Sequence, residues 1–281
     1  MINRYLLRPA ARTVLLTAIG LSFAVSNAAE KLPIIDGHIH YSHDAVELLP
    51  PERAVVLLRQ ANLKRAFVSS SNDDGTQLLY AVAPDLVVPV LRPYRKRGEL
   101  STWVRDLSVV SMLRERLKKY RYAGIGEFHA FGDEVDLPVM RGLIDLARQY
   151  GLFLHAHSDA DAVERIFGHY PEARVLWAHS GFTGPDEVGA MLAKYPNLWA
   201  DLAFRDAHAR DGKVDPDWLA LFEKFPNRMV LGTDTYTPER WFYVIEHAEW
   251  SRGWLTSLPP NLANNIAWRN AQRLLDAVGW K

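Results

Sequence analysis

The stretch Ile34-Ile35-Asp36-Gly37-His38-Ile39-His40 decides how this chain is read: an apolar run that ends in two histidines one residue apart. Side chains alternate between the two faces of a strand, so His38 and His40 project the same way and can offer ring nitrogens to one cation. Two buried histidines with ordinary hydrogen-bond partners would use the same spacing. Later apolar runs favour the cation, because they too end in groups able to bind one: Glu127, His157, His179 and Asp234.

Working outward, short Val/Ile/Leu-rich runs alternate with amphipathic segments along the whole chain. Strands are predicted over 33–40, 65–70, 86–91, 123–128, 152–157, 174–179, 198–202 and 229–233. Helical patterns cover 51–61, 102–119, 137–150, 159–167, 185–195, 215–224 and 238–250, several opened by Asp, Thr or Pro. Continuous apolar strands alternating with helices imply a parallel sheet covered on its outer face, and eight repeats suggest closure into a (β/α)8 TIM barrel. An open doubly wound sheet would call for a Gly-rich phosphate loop after the first strand, and none follows it. Catalytic groups of such barrels sit at the carboxyl ends of the strands, where each residue named above falls. The expected ligands therefore converge on one mouth.

The first 28 residues read as a leader rather than part of the fold. Arg4, Arg8 and Arg12 form a basic start, an apolar segment runs from Thr13 to Val25, and Ser26-Asn27-Ala28 offers a small-residue exit. That segment is short of the ~20 residues a spanning helix needs, so a secretory signal is expected and not a lasting membrane anchor. Export to the periplasm or beyond follows as an expectation, with residues 29–281 forming one barrel domain. There is no cysteine, hence no disulfide and no lipid attachment through a thiol. Without the leader the chain carries 30 basic and 33 acidic residues, a net −3, which steers it to neither nucleic acid nor an anionic membrane. A small molecule is the expected partner, and an oligomer is compatible with the sequence.

Taken in order, these motifs resemble the amidohydrolase superfamily, in particular its second amidohydrolase family of TIM-barrel metal-dependent hydrolases. The resemblance rests on Asp36-Gly37-His38-Ile39-His40, Gly124-Ile125-Gly126-Glu127, His157-Ser158-Asp159, Trp177-Ala178-His179-Ser180-Gly181 and Gly232-Thr233-Asp234, and on the ending from Ile266 to Leu274. It implies metal ligation by His38, His40, Glu127, His157, His179 and Asp234. Where many members carry a carboxylated lysine on the fourth strand, this chain has Glu127, as in the subgroup resembling TatD-type deoxyribonucleases. A carboxylate there can bridge two cations, whereas the mononuclear branch, which includes decarboxylases, generally lacks a ligand at that place. One or two divalent ions are expected.

Neutral imidazoles and carboxylates suit Zn²⁺, with Mn²⁺, Co²⁺ or Fe²⁺ as alternatives. A water bound to such an ion can have its pKa lowered from ~15.7 to about 7, giving a nucleophile at neutral pH. The resemblance gives Asp234 the role of proton acceptor and donor, and gives His179 metal binding or polarisation of the scissile oxygen. No Gly-x-Ser-x-Gly elbow points to serine catalysis. On the fifth strand His155 shares a face with His157, which lies nearer the mouth and is preferred as ligand. His155, His129 and Arg92 are read as groups that could face substrate, as are Tyr94 and Arg205. His43, His169, His208 and His247 are expected at the surface, and Trp103, Trp177, Trp241, Phe242 and Tyr243 in the core. Three functions fit: a hydrolase of a small ester, lactone, amide or phosphoester, a decarboxylase of the same superfamily, and a barrel that binds a metal or ligand without turnover.

Overall fold

The computed structural model describes residues 31–281, so the leader expected over 1–28 lies outside the described residues. Eight parallel strands follow the chain in order around a barrel: β1 (Ile34–Ile39), β2 (Leu63–Val68), β3 (Val87–Leu91), β4 (Gly124–His129), β5 (Phe153–His157), β6 (Val175–Trp177), β7 (Leu198–Asp201) and β8 (Met229–Val230). The seam between β8 and β1 is tied by Gly37 N–H to Leu231 O and by Asp234 N–H to His38 O, both 2.7 Å. The strands are as predicted, but β6 and β8 are shorter, because the chain leaves the sheet early to build the mouth.

Helices pack outside the barrel. Pro138–Tyr150 shows why: Pro138 starts it, Val139, Met140, Leu143, Ile144 and Ala147 turn one apolar stripe inward, and Gly151 (φ 68°) ends it. Asp159 caps the helix Ala160–His169 by accepting from Ala162 N–H at 2.8 Å. Two predicted helices are broken in two. The 102–119 segment becomes a 3-10 turn at Trp103–Arg105 and a helix at Ser108–Lys119, because Asp106 takes the Ser108 N–H at 3.0 Å. The 238–250 segment divides likewise into a 3-10 turn, Pro238–Tyr243, and a helix, Val244–Leu255.

The barrel interior below the mouth is apolar. Ile35, Phe67, Val88, Val90, Phe153, Leu176, Trp199 and Val230 form one cluster with Leu274, Leu275 and Trp280, so the closing helix Asn270–Ala277 plugs the far end. Trp103, Trp177 and Trp241 are core residues as expected, whereas Phe242 and Tyr243 are exposed. These two occupy the outer side of the 3-10 turn whose inner side buries Trp241. No helix among the described residues is long and apolar enough to cross a membrane.

Candidate metal centre

β1 carries a register shift between Asp36 and Ile39, and this bulge sets the histidines. Ile35 belongs to the inner cluster and Ile39 to the outer one, so the strand changes parity between them and both His38 and His40 face the interior. Their Nε2 atoms approach to 3.1 Å. A second shift, between Gly126 and Phe128, turns Glu127 toward the same place. Its Oε2 lies 3.2 Å from His40 Nε2, and its Oε1 lies 3.5 Å from His38 Nε2 and 3.4 Å from His179 Nε2. Asp234 Oδ1 completes the group, 3.8 Å from His38 Nε2 and 3.4 Å from His40 Nε2.

The far side of each ring fixes its tautomer. His38 Nδ1–H donates to Asp201 Oδ2 at 3.1 Å, His40 Nδ1–H to Ser69 O at 2.8 Å, and His179 Nδ1–H to Ala203 O at 2.9 Å. A carbonyl or an ionised carboxylate can only accept, so all three rings turn an Nε2 lone pair into the cluster. This is how histidine is prepared for a metal. Asp234 Oδ1 is buried and has no hydrogen-bond partner, an arrangement that costs free energy unless a cation or water meets it.

Charge points the same way. Glu127, Asp234 and Asp201 bring three buried carboxylates together, and the guanidinium among them is that of Arg92, which donates to Glu127 Oε2 at 2.7 Å. Burial alone would lower the pKa of His38, but the charges of Glu127, Asp201 and Asp234 overcome it and raise the value well above normal. The protein demands positive charge here, from protons or from an ion. Asp201 moves the opposite way: burial would raise its pKa, yet His38 and His155 hold it below the usual range. Asp36, buried beneath Thr233, has its pKa raised by burial to about 6 despite hydrogen bonds from Thr233 and His38 N–H.

The remaining candidates take up distinct places. His157, half-buried, puts Nδ1 2.7 Å from Glu127 Oε1 and so borders the cluster from outside. His155 sits below, donating from Nε2 to Asp201 Oδ2 at 3.0 Å, with burial lowering its pKa to about 4. His129 stacks on His157 at 4.0 Å and accepts from the Tyr94 hydroxyl at 2.8 Å, and burial lowers its pKa to about 3. Arg92 is turned onto Glu127 and stacks over Tyr94 at 4.9 Å.

The surface expectation fails for His208, which is 1% exposed among Trp218, Phe222, Trp250 and Trp254. The loop after β7 folds back as a small hairpin, Ala209–Arg210 with Lys213–Val214, and carries the ring inward. His247 is likewise half-buried, near Thr233. His169 lies toward the surface and reaches Asp136 Oδ1 at 2.6 Å, while the side chain of His43 lies outside what is described.

Asp201 is the residue that sequence reasoning passed over. It ends β7 as the other candidates end their strands, and that position was its available signal. Its Oδ1 accepts from the N–H groups of His179 (2.8 Å) and Ala203 (3.0 Å), and its carbonyl accepts from Ser180 Oγ (2.7 Å). His179, Ser180, Gly181 and Phe182 are all left-handed, with φ of 54°, 49°, 65° and 53°. Arg205 holds the other side of that turn, donating to His179 O at 2.9 Å and to Thr183 O at 2.8 Å. Arg240 donates to the carbonyls of Asp234 and, at 2.7 Å, Thr233.

Fold and donor geometry together define a (β/α)8 barrel with convergent imidazoles and carboxylates at its mouth. The chain belongs to the amidohydrolase family, whose model matches residues 35–277. No curated protein sequence matches it. Among solved structures it is similar to an uncharacterized TIM-barrel protein of Bordetella bronchiseptica, with TM-score 0.60, 17% identity, 88% of this chain and 100% of that chain covered. A probable 2-pyrone-4,6-dicarboxylic acid hydrolase of Acinetobacter baumannii gives TM-score 0.53, 12% identity and coverage of 86% and 99%. A beta-aspartyl dipeptidase of Fervidobacterium islandicum gives 0.53, 13%, and 87% and 72%. At these identities the likeness is one of fold.

Proposed function

We propose that this protein is a metal-dependent hydrolase of a small ester, lactone, amide or phosphoester. The observation that carries this reading is the set of three Nε2 lone pairs, each fixed from behind, facing Glu127 and the partnerless Asp234 Oδ1. His38, His40, Glu127, His157, His179 and Asp234 would hold one or two divalent ions, with zinc the best match to the nitrogen-rich donor set. When bound, such an ion supplies a water acidic enough to be a nucleophile near neutral pH. Asp234 accepts the proton from the attacking water and returns it to the leaving group, as a buried carboxylate with an open lone pair can. His179 binds the ion or polarises the scissile oxygen, and Asp201 keeps His38 in the ligating tautomer.

A second reading has support in Arg92. Both Glu127 oxygens are engaged, one by Arg92 and one by His157, which favours a single ion and the decarboxylase branch over a carboxylate-bridged pair. Metal analysis gives the nuclearity: two ions per chain, falling toward one in Glu127→Gln, supports the bridge, and one ion in the wild type favours the mononuclear branch, which includes decarboxylases; hydrolytic turnover on the substrate panel then decides between hydrolase and lyase.

The test of the main reading is Asp234→Asn. Metal should stay while turnover per bound metal, on an ester, lactone and phosphoester panel, falls ~10²–10⁴-fold. A ratio near one would end the proton role of Asp234, and unchanged metal content in both His38→Ala and His40→Ala would remove the metal centre itself. Export belongs to the same proposal, supported by the basic start and apolar run of the first 28 residues. Met1 at the N-terminus of the mature protein would overturn it.

A further inference from the structure

The end of the barrel opposite the candidate centre carries a ring of cations. Phe67, Leu176 and Val230 face the barrel interior, so Arg65, Arg174 and Arg228, each two residues earlier at the foot of β2, β6 and β8, are placed to face inward as well. Side chains from alternate strands share a layer in such barrels, and this one lies below the apolar layers. Arg121 stands just before β4, over Trp280 at 4.5 Å and donating to Gly279 O at 3.2 Å. Lys64 and Arg269 both lie over Trp268, at 4.0 Å and 5.4 Å, and Arg273 follows one turn further along the closing helix.

None of these seven makes an ion pair with a carboxylate among the described residues, and Arg65 Nη1 is buried without a partner. The loops that lead into β2 to β8 and the closing segment 265–281 hold three acids. Asp85 is held by Arg59 at 2.9 Å, Asp276 accepts from Gln272 at 2.8 Å, and Glu172 is exposed. A net charge of −3 hid this face, because its cations come together only when the strands close into a barrel.

We propose that this basal face docks on an anionic lipid surface, with the mouth turned away from it. Four alternate strands span the whole circumference of the barrel, so the charge is spread too widely for one small ion and matches an extended anionic plane. Tryptophan beside lysine and arginine is the pairing that suits a bilayer interface. The chain also joins the barrel here: β1 starts at Ile34, nine residues after the apolar run that ends at Val25. Export as read from that run favours lipid over nucleic acid, and the choice of lipid rests on that reading while the cationic face does not. Docking by the base leaves the centre, at the other end, open to solvent.

The test is co-sedimentation of the protein, as isolated after export, with vesicles of phosphatidylcholine alone and of phosphatidylcholine with phosphatidylglycerol in equal parts. Binding to the mixed vesicles should be at least ~10-fold tighter and should be lost as salt rises, since attraction to a charged surface is screened within a Debye length. The triple variant Lys64→Gln, Arg121→Gln, Arg273→Gln removes the exposed cations of the face. It should weaken that binding at least ~10-fold with metal content unchanged. Arg53→Gln, Arg114→Gln, Arg210→Gln removes three exposed cations elsewhere and should bind as the wild type does. Equal binding to both kinds of vesicle, or equal losses in the two triple variants, would overturn the proposal. So would an oligonucleotide bound as tightly as the mixed vesicles. Displacement by inorganic phosphate beyond that by sodium chloride of the same ionic strength would overturn it too, by marking a site for a soluble anion.

Discussion

His179 shows what one residue must give up to serve a site. A left-handed backbone costs about 1–2 kcal/mol for each residue with a side chain, and the run through Phe182 contains three of them. The run persists because Asp201 and Arg205 hold it from both sides, and Gly181 stands where a Cβ would lie 2.1 Å from Trp177. Asp201 therefore does two things: it fixes the turn, and it fixes the tautomers of His38 and His155. Asp201→Asn keeps the shape but turns an N–H₂ group toward rings that also donate. We expect metal affinity to fall ~10–100-fold, measured by chelator competition, with far-ultraviolet circular dichroism unchanged. Unaltered affinity would reduce Asp201 to a packing role. The ends of the apolar runs made His38, His40, Glu127, His179 and Asp234 legible in the sequence. Arg240 was not legible, because it acts through a carbonyl seven residues or fewer away and no side-chain pattern records that.

Among the elements, the two bulges decide which side chains reach the mouth. Strict alternation from Ile35 would put His38 outside the barrel, and the shift in β1 corrects this. The sequence nevertheless gave the right shared face for His38 and His40, because the residue between them, Ile39, belongs to the outer cluster. In β4 the corresponding device is Gly126, at φ 139°, where an added Cβ would lie 2.2 Å from His155 O on the neighbouring strand. Gly126→Ala must spread β4 from β5 or abandon the bulge. We expect a loss of more than ~2 kcal/mol in denaturant stability, with reduced metal retention because Glu127 follows directly. A variant as stable as wild type would show that the bulge tolerates side chains. The helix Asp74–Val82 was missed for a related reason: it opens with Asp-Gly, a turn signal, yet Gly75 is there to let its first turn approach Tyr41 O.

For the whole molecule, the unforeseen feature is a neutral histidine inside an aromatic box. Both ring nitrogens of His208 are buried without a partner, between the helices Pro216–Lys224 and Val244–Leu255. Burial pushes its pKa down to about 3, with smaller contributions in the same direction from His247 and from the Arg205 guanidinium. The sign follows from linkage. Above pH ~6.5 the ring is neutral in both folded and unfolded chains and contributes no pH dependence. Between there and about pH 3 the unfolded chain takes up a proton that the folded one refuses, so stability falls by up to ~1.4 kcal/mol per pH unit. His155, His129 and His247, whose pKa values burial also lowers, act in the same direction, while Asp36, raised to about 6, takes up its proton within the fold and offsets part of their effect. His208→Phe should lower the slope of unfolding free energy between pH 6 and pH 4 by close to one proton, ~1.4 kcal/mol per unit, while the site histidines keep the remainder. It should also raise stability at pH 5, since a ring without polar atoms fills the box. Parallel slopes for the two proteins, from urea titrations at matched pH, would mean that His208 takes up its proton within the fold.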